Sequence, residues 1–207
     1  MRVNWLGEAS FEIETEGRVI FIDPHLTSSN IDKADIILLT HDHLTHADEV
    51  GVENVKKKET LVLSSDNTAK KLGLSAKITS IGEHILYEDV LVSTISAYVQ
   101  ESPSHRRGLG LGYIIEAEGK RVYHAGVSSY IPEMLMVDEI DLAIMVQGIH
   151  NKIQNQEILR IIQTINPHTL GIVFYGGIAD NLEQIKMIVE ASSHTTVYDF
   201  RLGELHF

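Results

Sequence analysis

Four apolar residues in a row, Ile36-Ile37-Leu38-Leu39, run without a break into Thr40-His41-Asp42-His43-Leu44-Thr45-His46-Ala47-Asp48. A segment that is apolar at odd and even positions alike has no face to offer water, so it reads as a strand covered on both sides. A fold that buries it needs layers on either side. Three histidines within six residues then follow its end. Loops at strand ends are held by a rigid scaffold and collect ligand sites, and neutral imidazole is a common ligand of zinc. On an extended segment His41 and His43 fall on one side and can share an ion, whereas His46 needs the chain to turn. A solvated polar loop is the competing reading of the same residues.

Around this strand the first half reads as short strands at Arg2 to Leu6, Ser10 to Glu14, Arg18 to Asp23, Leu61 to Leu63, Ile78 to Ile81, Ile85 to Tyr87 and Val90 to Ile95. Ser65 or Asp66 caps a short helix that reaches Leu72. Residues 98 to 112 are polar and glycine-rich and read as a long loop, of a length that is often functional. Tyr113 to Glu116 and Arg121 to His124 pair through Glu118-Gly119-Lys120. Beyond them strands at Leu142 to Val146, Leu170 to Phe174, Thr196 to Tyr198 and Glu204 to Phe207 alternate with helices at Gln156 to Ile165 and Asn181 to Ala191. No linker or repeat interrupts residues 1–207, so one domain is expected. Pattern alone allows two sheets face to face with helices outside, or a three-layer α/β sandwich.

Lys plus Arg is 17 and Asp plus Glu 29, a formal charge of −12, which disfavours nucleic acid and anionic membrane as partners. The chain has no cysteine, which removes disulfides, thiolate catalysis and sulfur-ligated metal. Met1 to Gly7 contains no apolar run and no stretch approaches a membrane span, so a cytoplasmic location is expected.

The histidine segment is similar to the His-x-His-x-Asp-His motif of the metallo-β-lactamase superfamily. Trp5-Leu6-Gly7-Glu8-Ala9-Ser10-Phe11, Ile22-Asp23-Pro24, Tyr123-His124-Ala125-Gly126, Asp141-Leu142-Ala143-Ile144 and Val173-Phe174-Tyr175-Gly176 resemble, in order, segments of its small branch that includes ascorbate-6-phosphate lactonase. The resemblance implies a four-layer αββα sandwich, an α/β (α+β) fold of metallo-hydrolase/oxidoreductase type, with its site at the joined sheet edges. His41, His43 and His46 match metal ligands, and Asp23 resembles a carboxylate that orients a metal-binding histidine. Other ligand positions are substituted: Thr45 and Val127 stand where aspartates are expected, Val99 and Phe174 where histidines are. Glu8 also replaces a common histidine.

A valine cannot ligate, and a threonine hydroxyl is a weak donor to zinc. The expectation is therefore a hydrolase homologue whose dinuclear centre is mostly lost, without standard dinuclear activity. Two alternatives stay open. One is a mononuclear hydrolase of a small ester, lactone or phosphoester, using zinc or manganese on His41 and His43 with Glu8, His25, His46 or His150 as a further ligand. The other is a non-catalytic protein that binds a small anion, for which His105, Arg106 and Arg107 are candidates, or that serves as an interaction partner.

Overall fold

A computed structural model describes residues 1–25, 32–100, 102–147, 154–174 and 182–207, with Phe174 described by its backbone alone. One sheet contains β1 (Arg2–Gly7), β2 (Ser10–Thr15), β3 (Arg18–Ile22), β4 (Ile36–Leu38), β5 (Leu61–Ser64) and β6 (Lys77–Ile78) in spatial order, with β14 (Leu205–His206) outside β1. The other contains β7 (His84–Tyr87), β8 (Val90–Ala97), β9 (Gly110–Ala117), β10 (Lys120–His124), β11 (Leu142–Gln147), β12 (Thr169–Phe174) and β13 (Thr196–Tyr198), also in spatial order. Pairing is antiparallel from β14 through β3 in the first sheet and from β7 through β10 in the second, and parallel from β3 to β6 and from β10 to β13.

Alternation along the hairpin strands sorts side chains to two sides of each sheet. Phe11, Ile13, Ile20, Ile22 and Leu38 of the first sheet pack with Val92, Tyr113, Ile115, Val122 and Ile144 of the second. The opposite faces are closed by helices. Phe21, Ile37, Leu39 and Val62 meet Val52 and Val55 of α1 (Glu49–Val55), and Leu72 of α2 (Asp66–Leu72) packs against them. Ile114, Tyr123, Ala143, Met145 and Ile172 meet α3 (Asn155–Ile165) and α4 (Leu182–Ser192). The layers are α, β, β and α, the arrangement the resemblance implies.

The strand Ile36–Leu38 is buried on both faces, with every side chain inaccessible. Two features depart from the sequence reading. The loop begins after Ala97 as expected but is shorter, because β9 already begins at Gly110. Helix α1, Glu-Val-Gly-Val-Glu-Asn-Val, has glycine and three valines, so helix propensity does not announce it. Packing makes it: a Cβ on Gly51 would sit 2.2 Å from the Pro24 carbonyl oxygen, so only glycine lets the helix lie this close. Among the described residues no helix is long and apolar enough to cross a membrane.

Two hydrogen bonds join the sheets where the histidines emerge. The buried Tyr113 hydroxyl donates to the Leu39 carbonyl at 2.8 Å, and the Leu111 amide donates to the Thr40 carbonyl at 2.8 Å. Tyr113→Phe is expected to lower unfolding free energy by about 1 kcal/mol, because it leaves a buried carbonyl short of a donor. Urea unfolding measures this, and a midpoint unchanged from wild type would show that the phenol carries no part of the inter-sheet attachment.

Candidate metal centre

Asp23 follows β3 directly, in a left-handed backbone conformation with φ 46°, and is completely buried. Its carboxylate accepts the Thr40 amide at 2.7 Å, the Thr40 hydroxyl at 2.5 Å and His46 Nδ1–H at 2.6 Å. Because the Thr40 hydroxyl directs its O–H to Asp23, its oxygen is left to accept from His41 Nδ1 at 3.0 Å. That network places the His41 proton on Nδ1 and leaves Nε2 as a lone-pair donor. His41 Nε2 is buried and has no hydrogen-bond partner among the described residues.

Beyond His41 the chain turns, as His46 requires: the amides of His46 and Ala47 both donate to the His43 carbonyl. Lys71 of α2 donates to the Asp42 carbonyl and braces the turn from outside. His41 and His46 are buried, with ring centroids 4.0 Å apart, while His43 is half-buried, 4.6 Å from His41.

A fourth imidazole arrives from the opposite sheet. His105 lies in the loop between β8 and β9, with ring centroids 5.2 Å from His41 and 4.5 Å from His43. Its Nδ1 is within 3.2 Å of the Ser104 hydroxyl, and its Nε2 is buried without a partner among the described residues. One nitrogen from each of His41, His43 and His105 lies within 4.8 Å of the others. The space left among Thr40, His41, Ala97, His105, Leu109 and Val127 is about 10 Å³, room for roughly one water-sized sphere.

Burial pushes the His41 imidazole well below its ordinary range, with the neighbouring histidines adding to the effect. His43 is lowered mainly by burial, and His105 falls to about 4 through burial and then His43 and His46. Protonation is thus disfavoured where lone pairs converge, and neutral imidazole is the form that ligates a cation. The donor set fits a single divalent ion of borderline softness.

The other residues singled out from sequence are spread more widely. His25 Nδ1 is 3.0 Å from Asp48, the carboxylate that caps α1 by accepting the Val50 amide, which occupies it away from the imidazole group. Glu8 occupies the β1–β2 turn with φ 49°, its carbonyl accepting the Trp5 indole N–H, and joins none of the ligand groups found among the described residues. Arg107 is paired with Glu133 at 2.6 Å and lies over the Tyr98 ring. Arg106 is exposed on the same loop. His105 joins the imidazole group, whereas Arg106 and Arg107 line a separate open cavity with Tyr98 and Val99. His150, Tyr175 and Gly176 lie outside the described residues, as does the Phe174 side chain.

The family description "Beta-lactamase superfamily domain" matches residues 2–170. The chain belongs to the metallo-β-lactamase superfamily. Among curated relatives within that superfamily, a UPF0173 metal-dependent hydrolase of Caldivirga maquilingensis is 27% identical, the match covering 98% of this chain and 96% of the relative. Another UPF0173 metal-dependent hydrolase, from Geobacillus sp. strain WCH70, is 31% identical over 72% of this chain and 74% of its own. A solved structure from Parabacteroides distasonis superposes with a TM-score of 0.87 at 25% identity, covering 95% and 91% of the two chains. The metallo hydrolase Igni18 of Ignicoccus hospitalis, 21% identical with a TM-score of 0.81 over 100% and 98%, shares the fold.

Two of the positions at which the resemblance leads one to expect a metal ligand, 99 and 127, can be followed in space. Val127 is buried against His41 and His105, held there by Gly126, whose φ of 63° and 2.8 Å Cβ approach to the Leu111 carbonyl exclude a larger residue. Val99 lines a cavity with Tyr130 and Arg160 and is not among the residues lining the space beside His41 and His105. Its amide donates to the His105 carbonyl at 2.9 Å, so the loop returns on itself there. From sequence, His105 is expected on a loop near the edge that carries His41, His43 and His46, with anion binding rather than ligation as its role. A histidine in a loop without periodicity carries no signal of where the loop returns.

Proposed function

We propose that this protein is a hydrolase of the metal-dependent class whose centre is reduced to one divalent ion, zinc or manganese, anchored on His41 and His43. The observation that carries the reading is the buried, unpartnered Nε2 of His41 converging with nitrogens of His43 and His105 beside an apolar Val127. A carboxylate bridge between two ions has no donor at Val127, and Asp23 is committed to Thr40 and His46. A divalent ion bound there supplies Lewis acidity toward water and toward a carbonyl or phosphoryl oxygen.

The chain's own residues do the rest. Asp23, through Thr40, fixes the His41 tautomer and ring direction, and it holds His46 directly. Val127 and Leu109 keep bulk water from the buried side. His43, half-buried beside the exposed Leu44, marks the side from which a substrate approaches, with Leu44 as an apolar contact for it. Small esters, lactones and phosphoesters are the substrate classes that such a centre suits, and Arg106 is the nearby exposed cation for an anionic one.

Metal content per chain, measured by plasma mass spectrometry on untagged protein after exposure to zinc or manganese, tests the reading. About one ion is expected, and none after His41→Ala. A metal-free wild type sinks the proposal, and two ions would mean that a second set of donors exists despite Val127. Hydrolysis of an aryl ester, lactone and phosphodiester panel should track that single ion.

A further inference from the structure

We infer that His105, carried on the loop between β8 and β9, is a direct ligand of the ion and replaces the donor missing at Val99. The inference rests on the one-ion reading above and adds a ligand from the opposite sheet. Three independent observations support it. His105 Nε2 is buried and unpartnered among the described residues, and a nitrogen of this ring converges with those of His41 and His43 within 4.8 Å. The backbone bond from the Val99 amide to the His105 carbonyl closes the loop, and the His105 ring sits beside His41 and His43 while Val99 lines a separate cavity. The loop is also fastened from outside: Arg107 pairs with Glu133 at 2.6 Å, and the Tyr98 hydroxyl donates to the same carboxylate at 3.2 Å.

An uncompensated imidazole nitrogen taken out of water is costly. A loop that buries one beside two others, rather than turning it into solvent, is arranged for a cation. With His41 and His43 from one sheet and His105 from the other, the ion has the three protein donors that a mononuclear catalytic site uses, and one position is left for water or substrate.

Because the chain contains no cysteine, a thiol at one position can serve as a unique probe of ligation. His105→Cys loaded with cobalt(II) is expected to show near-ultraviolet thiolate-to-cobalt charge transfer, whereas Ser102→Cys in the same loop is expected to show none. His105→Ala is expected to weaken cobalt binding about 100-fold or more, with the fold unchanged by circular dichroism. Trypsin provides a readout on the unaltered chain: the Arg106–Arg107 segment is exposed, and metal should slow cleavage there by pinning the neighbouring ring. Wild type that binds one cobalt, with no charge-transfer band in His105→Cys and no metal protection at Arg106–Arg107, overturns the role of His105 and leaves the one-ion centre standing. Wild type that binds no cobalt overturns both.

Discussion

Asp23→Ala is expected to destabilise the metal-free protein by about 4 kcal/mol, among the largest effects of any single substitution near the site. The carboxylate is fully buried and accepts from the Thr40 amide, the Thr40 hydroxyl and His46. Removing it strands all three donors, each of which loses a strong charge-assisted partner. The residue also sits at φ 46°, which aspartate tolerates better than alanine, so backbone strain adds to the loss. For a chain of this size the change corresponds to a melting point lower by roughly 8–16 °C. Metal affinity should fall roughly 10- to 100-fold as well, because the tautomer of His41 is no longer held. A variant within 1 kcal/mol of wild type would show that the network is not what fixes this corner.

Acid is expected to unfold the metal-free protein in a window set by histidine before the carboxylates contribute. Burial, reinforced by His46, holds the His124 imidazole down to about 4, against about 6.5 in an unfolded chain. Between those values the unfolded chain binds a proton that the native one refuses, so stability rises with pH. The contribution is complete above pH 6.5, is lost progressively as pH falls toward 4, and changes no further below that. For His124 alone it amounts to about 3 kcal/mol, or roughly 6–12 °C in melting point. His41 acts in the same direction, and the half-exposed His105 adds less. Carboxylates lowered in the folded chain, such as Glu133 and Asp141, extend the loss to lower pH. Thermal unfolding with chelator across pH 4 to 7 is the measurement, and His124→Gln should flatten the upper part of the curve. A wild-type curve already flat there would mean that His124 takes up its proton while the protein stays folded.

The sandwich was legible in the sequence to the extent that local pattern encodes it. Ile36 to Leu39 announces a doubly covered strand, and the Glu118-Gly119 turn with φ of 55° and 68° is what a tight hairpin asks for. The choice between three and four layers came from resemblance, because which face of a strand meets which partner is a property of the assembled sheets. Helix α1 escaped for a related reason. Its valines and Gly51 read as strand or turn, and only contact with Pro24 and the cap by Asp48 make a helix the better state. At the site, the spacing of His41 and His43 could be read directly, since both lie on one short segment. His105 could not, because its position depends on one backbone bond from Val99 and on the ion pair at Glu133. Likewise, an Asp-Pro turn is a sufficient local account of Asp23, and its three hydrogen bonds appear only when β3, β4 and the histidine turn are side by side.

The bonds from Tyr113 to Leu39 and from Leu111 to Thr40 have a consequence for how such a protein can change over generations. They make the thickness of the central core a ruler for the gap between His41 on one sheet and His105 on the other. Facing sheets stand about 10 Å apart, so the bulk of core residues such as Ile115 and Ile20 bears on that spacing together with the bonds that hold the loop. Residues far from any substrate thereby set the bite of the site, so the identity of the preferred ion should drift with the bulk of the core.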